Sequence, residues 1–236
     1  MATSSSVRGF TFGIEMEIYL KPKTSTVKSR LESQGWTSGT PLTPKERNKN
    51  RVAMLNTVAF TLVKDAALTA IVPDPELENA YTEWQIKGDS SLVEEPESEY
   101  YGVEMISPIM SATEPQWIAH LDIMFLALAG AFHLHVNPAC STHIHMQPVG
   151  GWKVADVRSL FKATAVFDDA ITKIMPAPRK QTPWARSSFR EITAFDPKDP
   201  KQVSLKPKLS KVEQDLLAFQ VLQVETDVEA IARSFR

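Results

Sequence analysis

FTFGIEMEIYL, Phe10 to Leu20, is the stretch on which the fold turns. It is rich in β-formers, and its apolar residues alternate with other types, the period of a strand with two different faces. Glu15 and Glu17, spaced i, i+2, project from one face, while Ile14, Met16 and Ile18 project from the other. Two carboxylates side by side repel and raise each other's pKa, so a buried pair calls for a cation. Hard divalent ions such as Mg²⁺ prefer oxygen ligands and suit that arrangement. An isolated E-x-E is more often the solvated face of a strand, so the pair gains meaning only from what surrounds it.

Outward from this strand, helical spacing is expected from Lys28 to Gln34. It is expected again from Arg51 to Val72, where Val52, Leu55, Ala59, Leu62, Val63, Ala66 and Ala70 recur. Ser38 to Asn50 between them has loop composition and is expected to be exposed. YTEWQIK, Tyr81 to Lys87, reads as a strand ending in a Gly88-Asp89 turn, and YGVEMIS, Tyr101 to Ser107, as another. Glu104 lies in that apolar strand, opposite in direction to Val103 and Met105. Glu114 to Ala129 is expected to be helical with Thr113 as its cap ahead of Pro115. Ala131 to Val136 and Ser141 to Gln147 read as a pair of strands joined around Asn137-Pro138. Val154 to Met175 is an amphipathic helix stopped by Pro176 and Pro178.

Asp196 to Lys208 is Pro- and Lys-rich and reads as a linker. Leu209 to Phe235 then places Leu209, Val212, Leu216, Phe219, Val224, Val228, Ile231 and Phe235 on one helical face, fit to pack on the core or to pair with a partner. The domain expectation is an α+β domain over residues 1–195, a linker over 196–208 and an amphipathic helix over 209–236.

Bulk composition narrows the function classes. The chain has 236 residues, 43% of them hydrophobic and 23% charged, which fits a globular protein. A formal net charge of -2 shows no commitment to nucleic acid or anionic membrane. The single cysteine, Cys140, excludes an internal disulfide and fits a reducing compartment. Ile123 to Phe132, the longest uninterrupted apolar run, is far short of the ~20 residues a bilayer requires. With a Ser-rich N-terminus lacking the apolar core of a signal peptide, the expectation is a soluble, cytoplasmic protein.

Four of the five histidines fall between His133 and His145, as the pairs His133/His135 and His143/His145. Two H-x-H pairs on strands could bind zinc or another transition metal without any carboxylate, so a His-rich metal protein is one reading. For His133/His135 a satisfied core pair is the simpler reading. Cys140 as a nucleophile ranks below both, since single cysteines are more often buried hydrophobes. Asp89 is by itself a turn former. No Walker A loop, G-x-G-x-x-G fingerprint or G-x-S-x-G elbow is present.

The order of the motifs says more than any one of them. FGIEME (Phe12 to Glu17), WQIKGDSSL (Trp84 to Leu92), GVEMISP (Gly102 to Pro108), STHIHM (Ser141 to Met146) and WARSS (Trp184 to Ser188) follow one another around a long helix. This series resembles the amidoligase family, carboxylate–amine ligases related to glutamine synthetase and glutamate–cysteine ligase. The resemblance implies a curved, mostly antiparallel sheet with helices packed on one face and divalent metals and ATP on the other. It implies ATP-dependent amide-bond formation through an acyl phosphate on a small amino-acid or peptide-like carboxylate, with an amine as second substrate and Mg²⁺, or Mn²⁺, as cofactor. By the same resemblance Glu15, Glu17, Glu104 and His143 are metal ligands and His145 and Arg179 lie with the nucleotide. Arg186 and Asp89 are assigned to catalysis, Arg186 because guanidinium suits phosphate oxygens. Relatives continue into a strand bearing an acid and an arginine, for which Ser234-Phe235-Arg236 is no counterpart. The alternative expectation is therefore a shortened relative, impaired in catalysis, that binds or scaffolds, with a homo-oligomer or a partner joined through the terminal helix.

Overall fold

The computed structural model describes residues 9–39, 41–74, 76, 80–93 and 98–180. The chain divides into two compact units, residues 1–149 and 150–236. The Pro/Lys-rich stretch and the amphipathic segment 209–235 lie outside the described residues.

The first unit is an α+β structure built on one open, mixed sheet. Its long strand, β1 (Phe10–Pro22), pairs along both edges. On one edge runs β4 (Tyr101–Ile106), followed in line by β5 (Met110–Ser111). On the other runs β6 (Phe132–His135), followed by β7 (Thr142–Pro148). Outside β4 lies β3 (Trp84–Lys87), and outside that β2 (Ala70–Ile71), the β2–β3 pair being the parallel one.

Each flank of β1 is thus a single antiparallel course with a break in it, and each break is stitched by a serine. Between β4 and β5, Ser107 is buried; its N–H donates to the Ile14 carbonyl and its Oγ accepts from the Ile14 N–H, both at 2.8 Å. Between β6 and β7, Ser141 accepts the Glu17 N–H at 3.0 Å. There the residues Val136 to Cys140 leave the ladder opposite the single residue Ile18. The two strands expected on either side of Asn137-Pro138 are present; they pair with β1 and not with each other, because the five-residue excursion keeps the chain on the same edge.

Ile14, Met16, Ile18 and Leu20 of β1 face three helices, α1 (Ser25–Ser33), α2 (Pro44–Asp65) and α3 (Gln116–Ala131). Met54, Val58 and Leu62 of α2 and Met124 and Leu128 of α3 are fully enclosed in the same core. Trp117 of α3 meets Phe12 edge to face, ring centroids 5.4 Å apart. Among the described residues no helix is long and apolar enough to cross a membrane.

Several boundaries differ from the sequence expectation. α2 begins at Pro44, inside the expected loop, because Thr43 and Glu46 form a reciprocal capping box around a proline in the first turn. Its early residues Arg47 and Asn50 are buried, Arg47 donating to the carbonyls of Ser98 and Tyr100. α2 ends at Asp65, and Ala67 at φ 52° turns the chain so that Ala70 and Ile71 become strand. Thr113 does not cap α3, whose N-cap is Pro115; its hydroxyl instead pairs with that of Ser111.

In the second unit, α4 (Val154–Ile174) follows the expected span and α5 is a single turn, Ala177–Lys180. The Lys153 N–H at the start of α4 donates to the Asp156 carboxylate at 3.1 Å.

Gly102, opposite Tyr19 on β1, admits the Asp89–Leu92 turn onto the sheet: a Cβ there would come within 2.6 Å of Leu92 Cβ. Gly102→Ala is expected to lower unfolding stability by about 1–3 kcal/mol in urea denaturation, the cost of overpacking.

Candidate metal-binding site

The face of the sheet away from the helices is read in rows across the strands. In one row stand His143 of β7, Glu15 of β1, Ile106 of β4 and Gln85 of β3. In the next stand Glu17, Glu104 and Lys87. His145 lies opposite Gly13, where no side chain separates it from Glu15. The alternation of each strand and the antiparallel register bring these residues together, though they come from four separate segments.

Two groups of candidate ligands result. Glu15, His143 and His145 each offer a ligand atom, as do Glu17, Asp89 and Glu104; within each group those atoms lie within 4.8 Å of one another. The first group is a mixed oxygen and nitrogen set, the second all carboxylate. Glu15 Oε2 lies 3.2 Å from both His143 Nδ1 and His145 Nε2. A carboxylate only accepts, so both ring nitrogens donate, and His143 Nε2 faces the Ser141 hydroxyl at 3.0 Å. Burial works to raise the Glu15 pKa, but the hydrogen bonds and charge of the two histidines outweigh it and hold the group below its ordinary value.

Glu17 is nearly enclosed, and its Oε2 accepts the Ser141 N–H at 2.7 Å, a charge-assisted bond that fixes its aim. Asp89 closes its own turn by accepting the Ser91 N–H. Glu104 is the uncompensated member. Burial pushes its pKa up, and repulsion from Glu15, Asp89 and Glu17 adds to that, with Lys87 pulling the other way.

The predicted residues Glu15, Glu17, Glu104, His143, His145 and Asp89 thus meet on one face. Arg186 and the side chain of Arg179 lie outside the described residues. His133 and His135 are not core residues. Both are exposed, opposite Lys21 and Tyr19, and the His135 ring meets that of Tyr100 at a tilt of 51°, centroids 5.4 Å apart. Tyr19 and Glu15 are roughly 13 Å apart along β1, so one ion does not span both H-x-H pairs, which removes the basis for a four-histidine site.

Sequence reasoning missed Lys87 and Ser141. Lys87 stands two residues before Asp89, but its closeness to Glu104 depends on the β3–β4 register. Ser141 contributes a backbone N–H, which residue type does not announce. Gln85 was also missed: it is fully buried, and among the described residues neither amide atom has a hydrogen-bond partner.

A family model described as "putative amidoligase enzyme" matches residues 8–226, a span that includes every residue assigned to the site. No curated protein and no solved structure matches the chain.

Glu104→Gln is expected to stabilise the metal-free protein by ~0.5 kcal/mol at neutral pH, as removal of a cross-strand like charge should. Because the folded-state pKa of Glu104 is raised, the ionised carboxylate is what destabilises. The gain should therefore appear as pH rises through the ordinary carboxylate range and vanish below it. Urea denaturation of both proteins across that range checks this.

Proposed function

The chain belongs to that amidoligase family, and from this premise we propose that it is an ATP-dependent carboxylate–amine ligase. The observation that carries the reading is the pair of adjoining ligand groups built on Glu15 and Glu17 of β1. Family membership supports a ligase-type function, and the donor chemistry supports the rest. Glu17, Asp89 and Glu104 are hard oxygen donors suited to Mg²⁺. Glu15, His143 and His145 suit Mn²⁺ or another ion that accepts imidazole. Burial, with repulsion from Glu15, Asp89 and Glu17 added to it, raises the pKa of Glu104, and a bound cation would act in the opposite direction.

Bound there, divalent ions would neutralise and align phosphate oxygens during phosphoryl transfer. The protein's own part is positioning. Ser141 holds Glu17 through its backbone N–H, Glu15 orients His143 and His145, and the turn over Gly102 presents Asp89 beside Glu104. In the proposed reaction a substrate carboxylate oxygen attacks the γ-phosphorus of ATP and ADP leaves. An amine then attacks the acyl carbon, phosphate departs with the bonding pair, and the amine nitrogen gives up a proton. Asp89 is proposed to take part at the substrate end, and Arg186 with Arg179 to meet the phosphates. The placing of acids on one sheet face and helices on the other agrees with a glutamine synthetase or glutamate–cysteine ligase type of site. The proposed partners are small-molecule substrates in the cytoplasm.

Titration calorimetry with a non-hydrolysable ATP analogue and Mg²⁺ tests this. Wild type is expected to bind only with the metal, and Glu15→Gln/Glu17→Gln to bind roughly a hundredfold more weakly, as loss of two metal carboxylates implies. Absence of binding to wild type with its circular dichroism intact would overturn the ATP-site assignment. Binding without ADP release across a panel of carboxylate and amine pairs would leave a binding protein in place of a ligase.

A further inference from the structure

Among the described residues β7 is the longest edge strand of the sheet. Its seven residues pair only with β1, whereas the edge strands β2, β5 and β6 have two, two and four. We propose that β7 pairs antiparallel with the β7 of a second copy of this chain, about a two-fold axis at Ile144.

The two ends of β7 fix which of its backbone groups are free. Just before it the Ser141 carbonyl accepts the Glu17 N–H at 3.0 Å, and just after it the Val149 N–H donates to the Gly9 carbonyl at 2.9 Å. Bonding direction alternates along an antiparallel ladder, so His143, His145 and Gln147 also bond toward β1. Thr142, Ile144 and Met146 therefore point their N–H and C=O groups outward, along the open edge. Their side chains lie opposite Met16, Ile14 and Phe12 and project on the helix side, Ile144 being 62% and Met146 51% exposed. Proteins ordinarily protect such an edge with lysine, proline, a bulge or brevity. THIHMQP has no lysine, its proline comes last, and its register with β1 runs without a skipped residue.

A second β7 is the complement that this edge specifies. With Ile144 opposite the partner's Ile144, Thr142 falls opposite the partner's Met146, and every outward N–H and C=O of both strands is bonded. Centred one residue later, on His145, the pairing would set Thr142 against the partner's Pro148, which has no N–H to give. No Asp, Glu, Lys or Arg stands on β7 to oppose its own copy. On the helix side the exposed Ile144 gains an apolar neighbour. On the other face His143 comes across from the partner's His145, so the two groups built on Glu15 adjoin on one continuous sheet. A single strand pair buries less than the roughly 1,200 Å² of a standard interface, so this dimer is weak and reversible.

Sedimentation velocity of the full chain over about 5–500 μM, a range that brackets association through a small interface, tests the proposal. Monomer and dimer are expected to exchange across it. Ile144→Lys sets like charges across the axis at an exposed position and should leave monomer alone, with circular dichroism unchanged. On a Cys140→Ala background, diamide should convert Ile144→Cys into a disulfide-linked dimer. Met146→Cys, on the same face but roughly 13 Å along the strand from its counterpart, should stay unlinked. Monomer alone over the whole range overturns the proposal. So does a dimer that survives Ile144→Lys, or equal cross-linking at the two positions.

Discussion

Everything in the first unit hangs on the two-faced alternation of β1. Ile14, Met16, Ile18 and Leu20 are buried on the helix side, each contributing on the order of 1.5–3 kcal/mol by leaving water. A slip of one residue would turn those four outward and drive Glu15 and Glu17 into the core. The energy that holds the register of the core therefore also holds the aim of the carboxylates. Pairing on both edges removes the remaining freedom, since neither flank of β1 is open along most of its length.

That constraint has an electrostatic cost. Four acids are brought to adjoining positions on one face, and each meets it differently. Glu15 is relieved by two imidazoles, Glu17 by a backbone N–H, and Asp89 by its own turn. Glu104 has Lys87 across the β3–β4 pair, which only partly offsets burial and the repulsion of the other three acids, so its pKa stays raised. A cation that bound this face would add stability that grows with the logarithm of its concentration over its dissociation constant.

The breaks in the two flanking courses are as informative as the courses. Ser107 and Ser141 stand where a ladder residue would, and both use the position to bond β1. At Ser141 the break carries chemistry: the excursion from Val136 to Cys140 ends where an N–H meets the Glu17 carboxylate. On the other flank the small Gly102 lets a turn settle on the sheet and adds Asp89 to the cluster. Irregularities in a regular sheet are what bring Asp89 and the Ser141 N–H to the first strand.

Much was legible in the chain itself. The period of two in Phe10 to Leu20, the isolated Glu104, the H-x-H pairs and the order of the motifs identified the main strand, the candidate acids and the family. These are local signals, carried by residues within one element. The capping box at Thr43 was equally local and was passed over because Ser38 to Asn50 has the composition of a loop. What the chain alone did not decide was company. His133/His135 and His143/His145 have the same spacing, and only the register against β1 sends one pair to Lys21 and Tyr19 and the other to Glu15. Lys87 and Ser141 joined the site in the same way, through pairing between distant segments. Side-chain periodicity is written along a strand, whereas the neighbours across it are set by hydrogen-bonded register, which no single segment contains.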